Sequence, residues 1–276
     1  MIDQKFGYLT VLERDSNNEK SGTYFKVKCD CGVYKSVRKD GLIRGTTKSC
    51  GCKKSEITAT KKRIPIILEF FSKPSPELSY FLGFFLADGY LPSKGFYIGL
   101  QLQEKDREIL EKFSLLIFGY SRLQYIKKSK KDAKNRQDQY RLLFSSPVVK
   151  KYLEELGFDS NKSESATVPS MFAYDWNFWR GMLDGDGTIC YTNGNLLISL
   201  TGAPEVINSF SLFCNSLGFN KNQRTPLSLV RYKIPLSEFR LSGKEALQFL
   251  NTMYSDITQL HLQRKFKKFL DIKTKM

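Results

Sequence analysis

Phe81-Leu82-Gly83-Phe84-Phe85-Leu86-Ala87-Asp88-Gly89 is answered further along the chain by Trp179-Arg180-Gly181-Met182-Leu183-Asp184-Gly185-Asp186-Gly187, an offset of 186 − 88 = 98 residues. In each stretch an apolar run of helical character ends in a small residue, an Asp and a Gly. Gly83 and Ala87 are four apart, as are Gly181 and Gly185, so each predicted helix carries a strip of small side chains along one face. Such strips let two helix backbones approach unusually closely. Neither run has the length of a membrane span and both have polar flanks, which favours a helix–helix seam in water. Asp88 and Asp186 then stand side by side at the bottom of that seam. Gly89 and Gly187 suit the left-handed residue that closes a helix C-terminus. A carboxylate at that end faces the negative pole of the helix dipole, and two of them repel each other. A cation between them removes both penalties. One copy alone also reads as an amphipathic core helix with a polar cap; two copies that agree position by position are harder to explain that way.

The two stretches resemble the LAGLIDADG motif of homing endonucleases and their relatives, with the resemblance spanning roughly residues 76–276. It implies that the two motif helices pack together at the centre. It also implies that the acid before the final glycine, Asp88 in the first copy and Asp186 in the second, binds a divalent metal, with Ala87 and Gly185 beside them in the metal site. The first copy departs from the pattern at Leu86, where an acid is usual and where the second copy has Asp184; that position is not the metal ligand in the family. Family members often add pocket residues that orient water or stabilise charge. By motif position the candidates are Gln103, Lys162 and Lys265, each of which also reads as a plain phosphate contact or a surface polar residue. Leu200-Thr201-Gly202 stands where a second Gln is expected, so the pocket reads as asymmetric.

Composition sets the partner class. The 276 residues are enough for two or three domains and a sizeable core. Lys and Arg number 44 against 28 Asp and Glu, a formal net charge of +16, which favours a polyanion. A membrane surface is the competing polyanion, but no long basic amphipathic helix, signal peptide or transmembrane run is evident. The polar start, Met1-Ile2-Asp3-Gln4-Lys5-Phe6, fits a cytosolic or phage-encoded context with reduced thiols. No P-loop, Rossmann or Ser-His-Asp pattern is present, and the only histidine, His261, reads as an incidental surface residue beside the basic C-terminal helix.

Residues 1–55 read as a small Cys-rich module. Tyr8-Leu9-Thr10-Val11-Leu12 and Tyr24-Phe25-Lys26-Val27-Lys28 are predicted strands. Cys29, Cys31, Cys50 and Cys52 form two C-x-C pairs, for which a tetrahedral structural zinc site is the leading reading, with free-thiol pairs or disulfides as the alternatives. Arg38, Lys39, Arg44 and Lys48 make the module basic. Phe6-Gly7-Tyr8-Leu9-Thr10-Val11 and Thr47-Lys48-Ser49-Cys50-Gly51-Cys52 resemble a Cys-rich segment attached to some phage-type endonucleases, which implies extra DNA contact or an anchor for the N-terminus. Cys190 and Cys214 sit in apolar stretches and read as buried small hydrophobes.

A Pro-containing linker over 56–75 leads to Ser75 as N-cap and Pro76 at the first helical position. Beyond Gly89, Phe96, Ile98, Leu100 and Leu102 alternate toward a core, with Tyr97, Gln101 and Gln103 facing outward, as suits the reading of base edges. Lys127, Lys128, Lys130, Lys131 and Arg136 lie between two predicted strands; such a run is either a solvated loop or, on a DNA-binding sheet, a grip on phosphates. Arg141, Arg224 and Arg240 on predicted strands, with Arg231 and Lys233 in the connection between the last two, add candidate DNA contacts. Asn193-Gly194 between two apolar runs signals a two-residue hairpin.

The order helix–strand–strand–helix–strand–strand–helix therefore occurs twice, over 76–165 and 166–276. The expected fold is α+β: a duplicated αββαββα LAGLIDADG endonuclease fold whose two antiparallel sheets form a DNA-binding saddle, preceded by a zinc-ribbon-like module. The expected function is a monomeric, magnesium-dependent endonuclease, with two or three ions at the seam and structural zinc in the N-terminal module. It makes a double-strand cut in a target of about 20 bp and leaves short 3′ overhangs, as the family does. The alternatives are an intron maturase or another non-cleaving nucleic-acid-binding protein on the same scaffold, or a zinc-finger-like DNA-binding adaptor. No membrane and no obligate protein partner are expected.

Overall fold

The computed structural model describes residues 1–16, 18, 21–52, 64–127, 137–159, 166–219, 227–231, 234–256 and 258–276, with backbone alone for 227–231 and 234. Two compact units divide the chain, Met1–Pro65 and Ile66–Met276.

In the first unit, β1 (Lys5–Phe6), β2 (Leu9–Arg14), β3 (Tyr24–Cys29) and β4 (Tyr34–Arg38) form an antiparallel meander in chain order. Alternation buries Leu9 and Val11, Phe25 and Val27, and Val37 on one face, where Leu42 of the short helix α1 (Lys39–Ile43) covers them. The β1–β2 turn ties both cysteine pairs to the sheet: Tyr8 N donates to Lys48 O at 2.7 Å and Asp30 N to Tyr8 O at 2.9 Å. Gly7 makes this turn with φ +62°, and a Cβ there would stand 2.8 Å from Lys48 O.

The second unit opens with α2 (Leu68–Ser72) and then runs through one element order twice. The first pass is α3 (Pro76–Asp88), β5 (Gly89–Tyr90), β6 (Tyr97–Gln103), α4 (Arg107–Phe118), β7 (Gln124–Ile126), β8 (Gln139–Ser145) and α5 (Pro147–Glu155). The second is α6 (Trp176–Gly185), β9 (Thr188–Thr192), β10 (Asn195–Gly202), α7 (Pro204–Ser216), β11 (Leu227–Arg231), β12 (Ile234–Ser242) and α8 (Gly243–Met253); α9 (Gln263–Lys273) follows. The sheets have matching orders, β5-β6-β8-β7 and β9-β10-β12-β11, and every neighbouring pair is antiparallel. This is the expected α+β duplication.

Local chemistry explains the boundaries. Ser75 Oγ accepts from Leu78 N at 3.1 Å with Pro76 in the first turn, and Asp175 accepts from Asn177 N at 2.7 Å to start the second motif helix. Asn193 (φ 51°) and Gly194 (φ 76°) supply the two left-handed residues of the β9–β10 hairpin. The core is rich in aromatics: Tyr80, Phe81 and Phe84 on α3 meet Phe113 of α4, Phe85 stacks on Phe81, and Trp179 of α6 stacks on Phe213 of α7.

Four local expectations are corrected. Gly89 is extended (φ −70°, ψ 154°), not left-handed, and Gly187 has no positive φ either. Glycine is required there by sterics, because the chain folds straight back over the last helical turn. A Cβ would meet the Phe85 carbonyl oxygen at 2.4 Å or the Leu183 carbonyl oxygen at 2.5 Å. Phe96 is half exposed because the strand starts only at Tyr97. Cys214 is buried as expected, but Cys190 is only half-buried. His261 is buried, not a surface residue; Nδ1 lies 2.9 Å from Gln259 O and Nε2 3.0 Å from Gln263 Oε1. Among the described residues, no helix is long and apolar enough to cross a membrane.

Candidate metal seam and nucleic-acid face

Helices α3 and α6 touch backbone to backbone. A Cβ added at Gly83 would lie 1.9 Å from Phe178 O, and one at Gly181 would lie 2.1 Å from Tyr80 O. One turn on, a Cβ at Gly185 would meet Ala87 Cβ at 2.4 Å and Asp88 Oδ2 at 3.1 Å. The four small residues of the two strips therefore face each other, and the Asp88 carboxylate is drawn against the C-terminal end of the opposite helix. Asp88 and Asp186 are both exposed, whereas the residues before them, Ala87 and Gly185, are half-buried. The seam thus ends in two carboxylates that reach solvent from a close-packed base.

The base is charged in a way the sequence did not reveal. Asp184 is buried, and its two oxygens accept hydrogen bonds from Tyr80 Oη (2.8 Å), Tyr254 Oη (2.9 Å) and Leu262 N (2.8 Å). Burial pushes its carboxyl above the usual range, while Lys265 and the donors act the other way. Lys265 is also buried, with Nζ donating to Leu183 O (2.6 Å), Gly185 O (3.1 Å) and Gly187 O. Burial lowers its pKa to about 8, opposed by the charges of Asp184, Asp186 and Asp88. The ammonium sits where the helix dipole is negative, so it caps the last turn of α6 and fixes the loop that carries Asp186. Its neighbour Arg264 grips Asp106 bidentately, Nε to Oδ1 at 2.8 Å and Nη2 to Oδ2 at 3.0 Å, joining α9 to the turn after β6. That pairing raises Arg264, and the charge of Asp88 adds to it. The start of α9 therefore lies within the electrostatic reach of both seam acids. Long-range pairs of this kind leave no local pattern in a sequence.

Gln103 ends β6, half-buried, and its Oε1 is withdrawn from solvent with no hydrogen-bond partner among the described residues. A buried acceptor without a donor is costly, and a bound cation or water relieves it. Two clefts flank the seam. The larger, about 420 Å3, is lined by Asp88, Tyr97, Gln101 and Arg141 among others. The smaller, about 140 Å3, includes Ala87, Asp186, Gly202, Ala203 and Leu236.

The exposed face of the first sheet is polar and aromatic. Tyr97 is 60% exposed, and Arg141 Nε donates to Gln101 Oε1 at 2.8 Å while Gln101 Nε2 donates to Gln139 Oε1 at 2.6 Å. Lys127 is exposed at the end of β7. On the second sheet, Arg240 is exposed and pairs with Glu238 at 2.7 Å. Arg231 lies on β11, where only the backbone is described. Lys128, Lys130, Lys131, Arg136, Lys162, Arg224 and Lys233 lie outside the described residues.

In the N-terminal unit, the sulfurs of Cys29, Cys31, Cys50 and Cys52 all lie within 4.8 Å of one another. Cys29 and Cys52 are 3.7 Å apart and Cys31 and Cys50 3.3 Å apart. Tetrahedral zinc with bonds of about 2.3 Å separates its sulfurs by about 3.8 Å, so the cluster is close to the required size. Backbone N–H groups of Cys31 and Cys50 donate to Cys29 and lower its thiol to about 6, whereas burial drives Cys52 up to about 12. A dication lets all four sulfurs shed their protons.

Residues 75–157 match the family profile of the LAGLIDADG-like domain. No curated protein sequence matches the chain. Among solved structures, the meganuclease I-SmaMI bound to uncleavable DNA is similar over 71% of this chain and 88% of its own, with 10% identity and a TM-score of 0.47. The I-LtrWI LAGLIDADG homing endonuclease bound to target DNA is similar over 74% and 90%, with 11% identity and a TM-score of 0.45. The N-terminal LAGLIDADG domain of WhiA is similar over 67% and 86%, with 18% identity and a TM-score of 0.40.

Proposed function

We propose, from the LAGLIDADG-like domain at residues 75–157 and the second pass through its element order, that the chain is a magnesium-dependent, site-specific DNA endonuclease. The observation that carries this reading is the seam itself: two exposed carboxylates, Asp88 and Asp186, at the ends of helices packed backbone to backbone. An arrangement that concentrates like charge costs stability, and a plain DNA-binding surface has no use for it. The donor set is all oxygen: two carboxylates and the neighbouring carbonyl of Ala87, the Gly185 carbonyl being already engaged by Lys265. That set suits magnesium, a hard cation with oxygen ligands. Magnesium, when bound, supplies charge stabilisation at the attacking and leaving oxygens of a phosphodiester.

The chain's own groups do the rest. Asp88 and Asp186 hold the site and fix its spacing. Gln103 orients a water through its orphaned oxygen. Lys265 acts from below, holding the Asp186 loop by its carbonyls, and is a positioning residue. Tyr97, Gln101, Arg141, Lys127 and Arg240 lie along the DNA, and the net charge of +16 draws the duplex in. The repeats over 76–165 and 166–276 act together as a monomer on one target of about 20 bp, cut with short 3′ overhangs. The Cys-rich module carries zinc on Cys29, Cys31, Cys50 and Cys52, and residues 56–75, which include α2 of the second unit, join it to the repeats.

Cleavage selection tests the reading. The protein is incubated with a long randomised DNA library and magnesium, and the new ends are sequenced. One extended motif cut with a fixed stagger is expected. No new ends under conditions where gel shifts show tight binding would instead assign the fold to a non-cleaving role.

A further inference from the structure

Gln101 reads, in the sequence, as a side chain that reaches a base edge; in the structure both ends of its amide are already engaged. The first sheet has the order β5-β6-β8-β7, so β6 and β8 are its inner strands. Gln101 of β6 pairs in register with Arg141 of β8, and Gln103 with Gln139. Three side chains of these strands form a chain of hydrogen bonds. Arg141 Nε donates to Gln101 Oε1 at 2.8 Å, and Gln101 Nε2 donates to Gln139 Oε1 at 2.6 Å.

Chemistry fixes the direction of this chain. A guanidinium has N–H donors and no acceptor, so the amide atom it meets must be the Gln101 oxygen. The Gln101 nitrogen then faces Gln139, whose oxygen accepts. Both ends of the chain are therefore donors, the Nη groups of Arg141 and the amide nitrogen of Gln139, while both amide oxygens are spent. Among the described residues Arg141 has no carboxylate partner, whereas Arg107 pairs with Glu111, Arg240 with Glu238 and Arg264 with Asp106. Its guanidinium is thus braced at Nε and open at Nη, on the wall of the cleft beside Asp88.

Base edges differ in what they ask for. In the major groove adenine presents an acceptor beside a donor, cytosine a donor, and thymine an acceptor beside a methyl group; guanine alone presents two acceptors, N7 and O6, side by side. An amide reads adenine with its oxygen and nitrogen together, and neither Gln101 nor Gln139 has that pair free. The open Nη fork fits guanine instead. A groove about 12 Å wide takes two strands about 4.8 Å apart, so a side chain on an inner strand faces base edges and not the flanking phosphates.

We propose that Arg141 reads a guanine in the part of the DNA target that lies on the first sheet, with Gln101 as the positioning residue that holds the guanidinium for it. The inference rests on the DNA-binding part of the endonuclease reading and does not require cleavage.

Selection by binding tests it. The full chain, without magnesium, is used to retain duplexes from a randomised library, and the selection is repeated with Arg141→Ala, Gln101→Leu and Gln101→Glu. Wild-type protein is expected to select a guanine for which Arg141→Ala loses preference by about tenfold to a hundredfold. Gln101→Leu is expected to weaken the same preference. Gln101→Glu, which keeps an oxygen for Nε, is expected to retain it although the added charge weakens binding to every sequence. On the selected target, 7-deazaguanine at that position, which lacks N7, is expected to weaken wild-type binding, whereas hypoxanthine, which keeps N7 and O6, is not. Arg141→Ala is expected to ignore both changes. Melting curves show which variants are folded, and the modified-base measurement on wild-type protein needs no variant. A uniform loss of affinity for all sequences in Arg141→Ala would make the residue a phosphate contact and overturn the proposal. Wild-type protein indifferent to 7-deazaguanine at every selected guanine would overturn it too, while leaving any observed cleavage standing. Selection of the guanine by a protein that cuts no DNA would instead remove the endonuclease and leave the guanine contact in place.

Discussion

Asp88 and Asp186 reach solvent because the residues before them are small and half-buried, so the helices can meet up to the last turn and then part. Asp88→Asn and Asp186→Asn keep shape and volume while removing charge. Each is expected to slow cleavage of the selected target by about a hundredfold or more, with gel-shift affinity retained or improved because a repulsive charge next to phosphate is gone. Normal cutting by both variants would take these residues out of the mechanism. The pair was legible in the sequence because the motif occurs twice and each copy checks the other. Lys265 was legible only as a residue near the site. Its partners are three backbone carbonyls and a buried carboxylate more than seventy residues away in the chain, and no spacing rule reports these. Gly89 and Gly187 were placed correctly for the wrong reason: the constraint is crowding from Phe85 and Leu183, not backbone dihedral.

At the level of elements, the order and pairing of helices and strands followed from apolar periodicity, caps and the Asn-Gly turn. What periodicity cannot supply is distance between helices. Gly83→Ala drives a methyl group into Phe178 O and Gly181→Ala into Tyr80 O, with neither helix able to yield without moving the other. Each substitution is expected to cost about 1–3 kcal/mol in urea unfolding and to reduce cleavage more than DNA binding, because the two acids are pushed apart. Stability and activity unchanged in both variants would mean the helices are not in backbone contact. Helix α9 is the second element the pattern undervalued. Removing the Lys265 cation takes a buried positive charge away from Asp184 and strips a donor from the carbonyls of Leu183, Gly185 and Gly187. Lys265→Met is therefore expected to destabilise the protein by about 3 kcal/mol, measured by the same unfolding experiment. An unfolding midpoint equal to that of the wild type would show that the lysine does not brace the seam.

For the molecule as a whole, the division at Pro65 separates two cores of different kinds. The unit Ile66–Met276 has a large aromatic core, while Met1–Pro65 buries only a handful of apolar side chains around its sheet. So small a core calls for a staple. Elemental analysis of protein made in zinc-containing medium is expected to find one zinc per chain. A strong chelator is expected to remove a separate low-temperature transition, leaving the unfolding of the larger unit in place. Cys31→Ser protein that still binds zinc in full, or chelation without effect on melting, would count against the metal. The cysteine cluster was readable from its paired spacing, but its closure depends on Lys48 and Asp30 being tied to the turn at Gly7 and Tyr8, which only the folded chain displays.

The glycine seam also bears on how such a protein can change. No amino acid is smaller than glycine, so every base substitution that alters residue 83 or 181 adds atoms to a contact that has no room for them. These codons have no conservative neighbours. Random mutagenesis aimed at retargeting the protein will therefore lose a fixed share of every library at the seam, whatever target is selected. Diversity confined to the outward positions of β6, β8, β10 and β12 avoids that loss, and the unvaried seam then sets the geometry against which new sheet surfaces are screened.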